Sequence, residues 1–425
     1  MWLLDKMLRK LVHSGQLILT DYDGKTFTYG DGSGEPYRIC LTDKGAAFHI
    51  ARDPRIGAGE AFMDGRLVVE PPHDIRMFLL FMGSQTDQRP GDNFAPPGAL
   101  RRLAVATIGK IDSFNGRRAA AKNAEHTYNL TRRLYELFLD EDRQYTMAYY
   151  RNGDETLEQA QLDKKAHIAA KLCLKPGMTL LDIGCGWGGF ALYLHKHYDV
   201  DVLGVALAED QIAFCQERAA QAGVSDRVKF ALMDYRDVTG TFDRITSVGL
   251  LEHVGTPQYP AFFNHTHRLL APNGIMFSHC CGRSGVPGTT DAFTRKYIFP
   301  GGYIPALSEL VSQAEMARWQ VMDVEGMRFH YAPTLAEWYA RTVLHKNEIV
   351  SLYDERFYRM WLFYLAGAEQ AFRHGSLVNW QVQYVKRRDA LPMTRDYMAE
   401  ESARLRASDI APSWHLDAAQ REAAE

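Results

Sequence analysis

The stretch TLLDIGCGWGGFALYLHKHY at residues 179–198 decides the fold. Its first six residues form an apolar run typical of a short buried strand, and GGFALYLHKHY is typical of the helix that follows. The glycines between them, Gly184, Gly186 and Gly188, allow a sharp turn and a close approach of the backbone to a ligand. Asp182 stands at the end of the strand. The stretch predicts a strand–loop–helix unit whose loop forms the floor of a ligand crevice.

Strand and helix signals alternate after this loop. Strands are predicted at DVLGVAL, VKFALMD, DRITSVG and GIMFSHC, and helices at AEDQIAFCQERAAQAG and YPAFFNHTHRLL, within residues 201–280. Beyond residue 283, QVMDVEGMR and NWQVQYVKR predict two strands around an aromatic helical region at 334–373. The apolar strand runs lack clean alternation, which is typical of a parallel sheet covered on both faces. We predict an α/β fold with a mixed seven-stranded sheet, a helical cap and a small N-terminal α/β domain.

The glycine spacing favours one of two nucleotide ligands. Dinucleotide sites have Gly-x-Gly-x-x-Gly, whereas here an acid precedes Gly-x-Gly-x-Gly. The second spacing is typical of Rossmann-like class I methyltransferases, which bind S-adenosylmethionine (SAM). SAM has an amino-acid tail and no phosphate, so its ammonium group suits backbone carbonyls and a carboxylate. SAM is the predicted cofactor, and a dinucleotide is the alternative.

The predicted SAM contacts follow three strand ends. The second strand lacks the acid that often binds ribose hydroxyls, and Gln211 is the candidate substitute. After the third strand, Tyr235 is a candidate for stacking on adenine, and simple loop chemistry is the alternative for its neighbour Asp234. The predicted cofactor-binding residues at these strand ends are Asp182, Gly184, Gly186, Gly188, Gln211, Asp234, Tyr235 and Arg236.

A second cluster follows the fourth and fifth predicted strands. The fourth strand leads into Glu252 and His253, and the fifth ends at His279 and Cys281. The carboxyl ends of parallel strands meet at one edge of a sheet. A lone histidine is usually structural, but two histidines from different strand ends beside a carboxylate favour a reaction centre.

Composition excludes several classes of protein. The chain has 425 residues, enough for two to three domains, and a formal net charge of −3, which gives no general attraction for nucleic acid. No apolar run reaches the roughly 18 residues of a membrane span, and the opening MWLLDKMLRKLVHSG is too charged for a signal peptide. Six cysteines without paired spacing predict neither a zinc site nor disulfides. A reduced cytoplasmic protein without a metal site is expected.

Four segments are predicted along the chain. They are an accessory domain at 1–98 with a lipid- or dimer-related role, a helical connector at 99–150 that contributes to the active site, a catalytic domain at 151–392, and a polar, frayed tail at 393–425. The accessory domain holds β-like runs such as YRICLTD and AAFHIA, and residues 87–98 read as a linker.

Two segments have the pattern of a lipid-facing surface. Eight basic residues stand in the connector, where a solvated helix face is the alternative to an anionic lipid surface; they are Arg101, Arg102, Lys110, Arg117, Arg118, Lys122, Arg132 and Arg133. In the opening helix Trp2, Leu3, Met7, Leu8 and Leu11 can share one face, as in an interfacial helix or a helix packed on its own domain.

Six motifs then occur in a characteristic order. They are LDIGCGWGGFALYL, DYRD at 234–237, SVGLLEHVG, RKYIFPGGYIP at 295–305, HYAPTLAEWY at 330–339 and NWQVQY at 379–384. Together they resemble the cyclopropane fatty acid synthase family over about residues 125–390. The first hundred residues are only loosely similar to the variable N-terminal domain of its longer members.

The resemblance implies SAM-dependent transfer of a methyl or methylene carbon to the double bond of an unsaturated phospholipid acyl chain, giving a cyclopropane fatty acid. It implies a bicarbonate ion as base, held by Glu252, His279, Tyr331 and the backbone of Cys281. Tyr145 and Thr146 match cofactor positions. The cap would bind the acyl chain, and the protein would lie peripherally on the inner membrane face. A homodimer is one candidate assembly, and no nucleic acid partner is expected.

The chain departs from the family pattern near the predicted base. Met147 stands where the family usually has a cysteine, and a thioether cannot donate a hydrogen bond. Thr131-Arg132-Arg133 replaces a Gly-Asn-Asp type run, and Cys281 replaces an aliphatic residue. Because a ligand of the anion is lost at Met147, the alternative product is a methyl-branched or methylene fatty acid formed without ring closure.

Aromatic residues at helical spacing in the cap have two interpretations. They either pack in the core or line an acyl tunnel, where their π faces shield a carbocation. The residues are Trp338, Tyr339, Tyr353, Phe357, Tyr358, Trp361, Phe363 and Tyr364.

Overall fold

The N-terminal unit combines a four-stranded sheet with four helices. The computed structural model describes residues 1–87 and 130–409. The strands of this unit are β1 Gln16–Thr20, β2 Thr26–Gly30, β3 Tyr37–Leu41 and β4 Leu67–Val69. The helices are α1 Trp2–Leu11, α2 Ala46–Arg52, α3 Pro54–Met63 and α4 Ile75–Asp87. The order β2-β1-β3-β4 includes one parallel pair, β1 with β3, so the predicted small α/β domain is confirmed.

The second sheet contains the seven predicted strands. They are β5 Thr179–Ile183, β6 Asp201–Ala206, β7 Val228–Leu232, β8 Phe242–Val248, β9 Leu270–Arg283, β10 Gln320–Met327 and β11 Leu377–Val385. Their order is β10-β11-β9-β8-β5-β6-β7, and β11 runs antiparallel to both neighbours. Leu180, Leu181 and Ile245 are buried in the central strands, as expected for a sheet covered on both faces.

Helices cover both faces of this sheet. They are α5 Arg132–Phe138, α6 Leu157–Ala170, α7 Gly189–Tyr198, α8 Glu209–Gln221, α9 Leu251–Val254, α10 Tyr259–Leu269, α11 Ala292–Tyr297, α12 Leu307–Met316, α13 Tyr331–Leu344, α14 Lys346–Leu352, α15 Glu355–Arg373 and α16 Asp396–Ser408. The helices between residues 331 and 373 form the cap. None of the described helices is long and apolar enough to cross a membrane.

The N-terminal unit packs directly on the cap. Leu4 and Leu8 of α1 belong to the same buried apolar cluster as Trp338 of α13 and Trp361 of α15. On α15, Glu369 is fully buried and accepts two hydrogen bonds, of 2.6 and 3.0 Å, from the Arg76 guanidinium of α4. A planar guanidinium matches a carboxylate in this paired geometry. The two units therefore share one core.

The structure corrects several sequence expectations. AAFHIA is helix α2 rather than a strand. Its buried residues Ala46, Ala47 and Ile50 are spaced so that they lie on one face of a helix, and alanine favours helix. In α1, Leu4 and Leu8 are buried whereas Trp2 and Leu3 are exposed, so the expected common face is divided. Within the described part of the connector, only α5 is helical, and residues 139–150 are irregular. The basic residues between 101 and 122 and the linker at 88–98 lie outside the described residues.

The segment expected to fray is partly a packed helix. Leu405 of α16 is fully buried against the catalytic domain. Tyr198 donates a hydrogen bond of 2.5 Å to Glu401, and Tyr193 one of 2.6 Å to Asp409. The expectation of fraying is therefore wrong for residues 396–408.

Candidate functional site

Two cavities meet above the carboxyl ends of the central strands. The loop cavity, of about 170 Å³, lies over the glycine loop and includes Gly184 in its wall. The apolar cavity, of about 460 Å³, extends from the N-terminal unit to Glu252. Tyr145, Thr146 and His253 line both cavities. A ligand in one cavity would therefore adjoin a ligand in the other.

The glycine loop has the backbone that its sequence predicts. Gly184 and Gly186 have φ angles of +82° and +53°, which residues with a side chain rarely adopt. Both line the loop cavity. Gly188 does not line it: a Cβ there would lie 2.9 Å from the Cys215 sulfur, so this glycine serves helix–sheet packing. The cofactor contact predicted at Gly188 stays a prediction beside this packing role.

Asp182 has a structural partner as well as a place in the loop cavity. Its carboxylate accepts a 2.8 Å hydrogen bond from Thr246 and so ties β5 to β8. Burial raises the pKa of Asp182 to about 6. The carboxyl group lines the cavity beside Gly184, where the sequence predicts a SAM contact.

The other predicted cofactor residues gather around the loop cavity. Gln211, Asp234, Tyr235 and Arg236 all line it. Asp234 accepts hydrogen bonds from the backbone N–H and the guanidinium of Arg236, at 3.0 and 2.9 Å, so loop chemistry also accounts for this acid. The Tyr235 ring packs edge-on against Phe262. Their assignment to SAM remains a prediction.

A buried lysine positions the connector residues between the cavities. Lys164 of α6 donates hydrogen bonds of 2.8 Å to the side chains of Gln144 and Thr146. Burial lowers the pKa of Lys164 to about 7, opposed by Asp140. The lysine thereby fixes Tyr145 and Thr146 over both cavities.

A charged cluster holds this connector against the glycine loop. Asp142 pairs with Lys165 at 2.8 Å and with Arg218 at 2.6 Å. These two cations lower the pKa of the partly buried Asp142 to about 2, although burial itself opposes that shift. The carboxylate lies so close to Gly189, at the start of α7, that a side chain at this position would collide with it.

Glu252 is a buried carboxyl group with one unpaired oxygen. Its Oε1 accepts a 2.5 Å hydrogen bond from the backbone N–H of Cys281, across from α9 to β9. Its buried Oε2 has no hydrogen-bond partner among the described residues. Burial raises the pKa of Glu252 to about 7. A buried oxygen without a partner costs about 1–3 kcal/mol, which favours a ligand at this point of the apolar cavity.

His279 is the second predicted reactive group on the cavity wall. It is fully buried on β9 and lies opposite Gln381 of β11. Burial, with Lys164, Lys171 and His167 acting in the same direction, lowers the pKa of His279 to about 3, while Glu325 opposes the shift. The imidazole is therefore neutral at physiological pH.

Tyr331, Cys281 and Met147 complete the predicted catalytic set. All three line the apolar cavity together with Glu252 and His279. Burial raises the pKa of Tyr331 well above its usual value, so the phenol keeps its proton and can donate it in a hydrogen bond. Met147 is fully buried and offers no donor. The structure brings all five residues together, and their catalytic roles remain predictions.

The aromatic residues of the cap divide between the two interpretations. Phe363 and Tyr364 line the apolar cavity. Trp338 and Trp361 instead pack edge-on around Phe138, with ring centroids 5.7 and 5.4 Å from it. Phe299, from the YIFPGG motif, also lines the cavity and packs edge-on against His253.

Sequence reasoning missed the amides of β11. Asn379 and Gln381 are buried beside His279, and Asn379 lines the apolar cavity. Asn379 Nδ2 lies 3.5 Å from both Cys281 Sγ and His279 Nε2. Polar residues at alternate positions of a predicted buried strand were the available signal, since alternate residues face one side. The sequence also gave no sign of the role of Lys164.

A model of one protein family covers most of the catalytic unit. The family described as mycolic acid cyclopropane synthetase matches residues 115–382. The chain belongs to this family. The match includes the glycine loop, Glu252, His279, Tyr331 and Gln381, and it begins after the N-terminal unit.

Relatives with this chemistry in their names also match the chain. The cyclopropane-fatty-acyl-phospholipid synthase of Escherichia coli (strain K12) is 36% identical over 335 residues, covering 79% of this chain and 84% of the relative. Cyclopropane mycolic acid synthase 1 of Mycobacterium tuberculosis is 34% identical over 266 residues, covering 60% of this chain and 93% of the relative. A probable fatty acid methyltransferase of Pseudomonas putida is 35% identical over 293 residues, covering 66% and 74%.

Solved structures agree with the family and the fold. The cyclopropane synthase MmaA2 from Mycobacterium tuberculosis has a TM-score of 0.60 at 30% identity, covering 62% of this chain and 97% of that structure. The mycolic acid cyclopropane synthase CmaA1, complexed with SAH and CTAB, has a TM-score of 0.59 at 32% identity and the same coverages. The synthetase family and the strand order make this chain a class I SAM-dependent methyltransferase.

Proposed function

We propose that this methyltransferase transfers a carbon from SAM to the double bond of an unsaturated phospholipid acyl chain and closes a cyclopropane ring. The observation that carries the proposal is the continuity of the apolar cavity, whose wall includes Leu8 and Leu41 at one end and Glu252 at the other. An acyl chain in this cavity would bring its double bond beside a SAM methyl group in the loop cavity. The family relationship supports the same substrate class.

The proposed chemistry forms two carbon–carbon bonds. The π electrons of the double bond attack the sulfonium methyl, the S–C bond breaks towards sulfur, and S-adenosylhomocysteine leaves. A proton then leaves the added methyl group, and its C–H electrons close the ring onto the cationic carbon. Walls formed by Tyr145, His253 and Phe299 exclude water, which would trap the cation, and their π faces stabilise positive charge.

The residues around Glu252 fit a small oxyanion. Bicarbonate, which the family resemblance implies, supplies a base for the departing proton when bound. Tyr331 and a suitably protonated His279 would donate hydrogen bonds to it. The unpaired Oε2 of Glu252 would accept its O–H. The Asn379 amide adds a further polar group on the same wall.

Met147 supports the alternative product. It lines the same wall without a donor, so the anion has one ligand fewer than the family pattern provides. When the base binds more weakly, a hydride can shift within the cation from the methyl-bearing carbon before any proton leaves. Loss of a proton from a neighbouring chain carbon then gives a methyl-branched olefin, and loss from the added methyl group gives a methylene branch. A methyl-branched or methylene fatty acid is therefore the second candidate product.

The proposal also assigns a lipid role to the N-terminal unit. In α1, Leu4 and Leu8 line the apolar cavity, while Trp2 on the same helix is 74% exposed. Phe48 of the adjoining α2 is 63% exposed. Lys6 lies over the Trp2 ring, 5.6 Å from its centroid, and adds positive charge, while Arg9 pairs with Asp5 at 3.2 Å. We infer that this surface, defined by Trp2, Phe48, Lys6 and Arg9, contacts the membrane from which the acyl chain enters.

Lipid mass spectrometry tests the reaction. The chain is expressed in a host without ring-forming activity, and purified protein is given unsaturated phospholipid vesicles with SAM carrying a deuterated methyl group. Ring closure adds one carbon with the loss of one deuteron, whereas a methyl branch keeps the whole labelled methyl group. Fragmentation then separates a ring from a methylene branch. Products without a labelled carbon in the acyl chain would contradict the proposal.

Two variants test the site itself. Glu252→Gln and His279→Ala are expected to retain SAM binding, because neither residue lines the loop cavity, and to lose lipid turnover. Calorimetry measures SAM binding, and mass spectrometry of labelled lipid measures turnover. Wild-type turnover in both variants would remove Glu252 and His279 from the mechanism.

A further inference from the structure

A chain of polar groups on one face of the sheet leads from the edge strand β10 across β11 to His279 of β9. Gln381 of β11 lies opposite His279 of β9 in the strand register. Its Nε2 is 3.1 Å from His279 Nδ1. Its Oε1 accepts a 2.8 Å hydrogen bond from Lys171, which follows α6. Gln381 is thus held at both ends of its amide.

Lys171 fixes the direction in which this amide points. An ammonium group has only donors, so the amide oxygen of Gln381 must face it. Glu325 accepts a 2.5 Å hydrogen bond from the same Lys171 and favours its ammonium form, although burial lowers the pKa of Lys171. His167 also lies 2.8 Å from this carboxylate. Turning the Gln381 amide around would put its NH₂ against Lys171, two donors facing each other.

The amide direction determines the tautomer of the imidazole. Since the Gln381 NH₂ donates to Nδ1, that nitrogen must be the acceptor of the neutral ring. The remaining proton is then on Nε2, as required by a neutral imidazole with one N–H. His279 lines the apolar cavity, whereas Gln381 does not.

We propose that Lys171 and Gln381 hold His279 as the Nε2–H tautomer, so that the imidazole acts as a hydrogen-bond donor to the anion beside Glu252 and not as a base. The inference rests on the proposed function for the identity of the anion. Lys171 and Gln381 are positioning residues, because they act through His279. The family pattern of the anion ligands gives no tautomer, and the assignment comes from these contacts.

The Asn379 amide is compatible with this tautomer. Its Nδ2 lies 3.5 Å from His279 Nε2, at the outer limit of a hydrogen bond, and its Oδ1 has no partner among the described residues. Amide oxygen and nitrogen exchange places by a half-turn of the side chain. After that half-turn, Oδ1 can accept from Nε2–H until the anion does so.

The first experiment measures the tautomer directly. Nitrogen-15 histidine spectra of the full-length protein at neutral pH are compared with those of His279→Gln, which identifies the His279 signals by their loss. We expect a protonated, pyrrole-type shift at Nε2 and an unprotonated shift at Nδ1. A proton on Nδ1 in the wild type overturns the proposal. This readout does not depend on lipid turnover, so it is distinct from failure of the proposed function.

Two variants test the cause of the tautomer. In Gln381→Glu the carboxylate can accept from Nδ1 while still pairing with Lys171, so the proton is expected to move to Nδ1. In Lys171→Met the amide is released, and a mixture of tautomers is expected. Gln383→Met is the matched control, since Gln383 is equally buried on the same face of β11 but bonds to the Lys171 carbonyl and Tyr397. Its His279 signals are expected to stay at the wild-type positions.

The same variants have a kinetic signature. Loss of one hydrogen bond to a charged group corresponds to about a tenfold or larger change in binding. Gln381→Glu is therefore expected to raise the bicarbonate concentration for half-maximal turnover at least about tenfold, while SAM affinity is unchanged. An unchanged tautomer in folded Gln381→Glu and Lys171→Met overturns the positioning role. If neither variant folds, the wild-type spectrum still decides the tautomer.

Discussion

At the scale of single residues, Glu252 combines two properties that oppose stability. The Oε2 of its carboxyl group is buried and has no partner among the described residues. In the unfolded chain its pKa is the ordinary 4.5, and burial in the folded protein raises it to about 7. The folded protein therefore binds the proton more tightly than the unfolded chain. As the pH rises from 4.5 to about 7, the unfolded chain loses this proton before the folded protein does, so the folded protein becomes less stable. A raised pKa of this kind is typical of functional groups.

Glu252→Gln is expected to separate stability from activity. The variant keeps an oxygen for the Cys281 N–H but cannot ionise, so without ligands it should be more stable than the wild type at pH 8, by up to about 3 kcal/mol. At pH 5 the wild-type carboxyl is already protonated in the folded state, and the difference should largely vanish. Thermal unfolding at both values measures this. A stability difference that does not change with pH would contradict the buried titration.

Met147 offers the matched test of the anion site. Met147→Cys places a thiol, a weak hydrogen-bond donor, on the wall beside Glu252 and Cys281. We expect a lower bicarbonate requirement and a larger share of ring product, read by mass spectrometry of labelled lipid. Met147→Leu keeps the volume without a donor and should resemble the wild type. If both variants give the wild-type product ratio, Met147 does not control proton removal.

At the scale of elements, α15 presents a glycine to the apolar cavity. Gly367 lines the cavity, and a Cβ built on it meets no described atom within 4 Å. Glycine inside a helix costs up to about 1 kcal/mol relative to alanine. The chain therefore keeps a glycine at this position although alanine would stabilise the helix. The open space that results is consistent with a passage for an acyl chain.

Side chains of increasing size at Gly367 should therefore act differently on stability and turnover. Gly367→Ala is expected to keep turnover and to gain up to about 1 kcal/mol in unfolding free energy. Gly367→Phe should fill the cavity and lower turnover at least about tenfold, with SAM affinity unchanged because the loop cavity is not touched. Turnover on vesicles and calorimetric SAM binding are the measurements. Wild-type turnover in Gly367→Phe would show that acyl chains do not pass this position.

At the scale of the whole molecule, the N-terminal unit and the cap depend on a buried ion pair. Glu369 of α15 is fully buried between Arg76 of α4 and Arg373, which lies 2.7 Å away. Removing one partner of a buried pair leaves an uncompensated charge. Glu369→Ala should lower the unfolding free energy by about 3 kcal/mol, whereas Glu400→Ala on the exposed side of α16 should change it little. Denaturant unfolding of both variants checks this, and equal effects would contradict the coupling.

The proposed membrane surface is also a property of the whole molecule, because it joins α1 to α2. The double variant Trp2→Ser, Phe48→Ser should bind anionic vesicles at least about tenfold more weakly, since both large apolar side chains lose their transfer free energy. Its turnover on detergent-dispersed lipid should stay close to wild type. Met316→Ser, at a 75% exposed position of α12, is the control. Equal vesicle binding of all three proteins would exclude this surface.

The sequence by itself determined the catalytic fold and much of the candidate site, because these depend on local patterns. The run from 179 to 198 gave a strand, a loop with left-handed glycines and a helix. Strand ends in a parallel sheet meet at one edge, so Glu252 and His279 could be expected together. The local pattern was insufficient for AAFHIA, where a short apolar run fits a strand or a helix equally well.

Only the tertiary structure decided the contacts between distant segments. The apolar cavity is shared by the N-terminal unit and the cap, which no local pattern connects. Lys171, Gln381 and His279 meet from three separate segments of the chain, and Lys164 reaches the connector from α6. Gly188 has the spacing of a ligand glycine, and the structure adds a packing reason for it, because a Cβ there would lie 2.9 Å from the Cys215 sulfur. The spacing of residues along the chain determines which of them can face the crevice. The packing of side chains from distant segments determines which imidazole nitrogen of His279 carries the proton and how much of the cavity stays open.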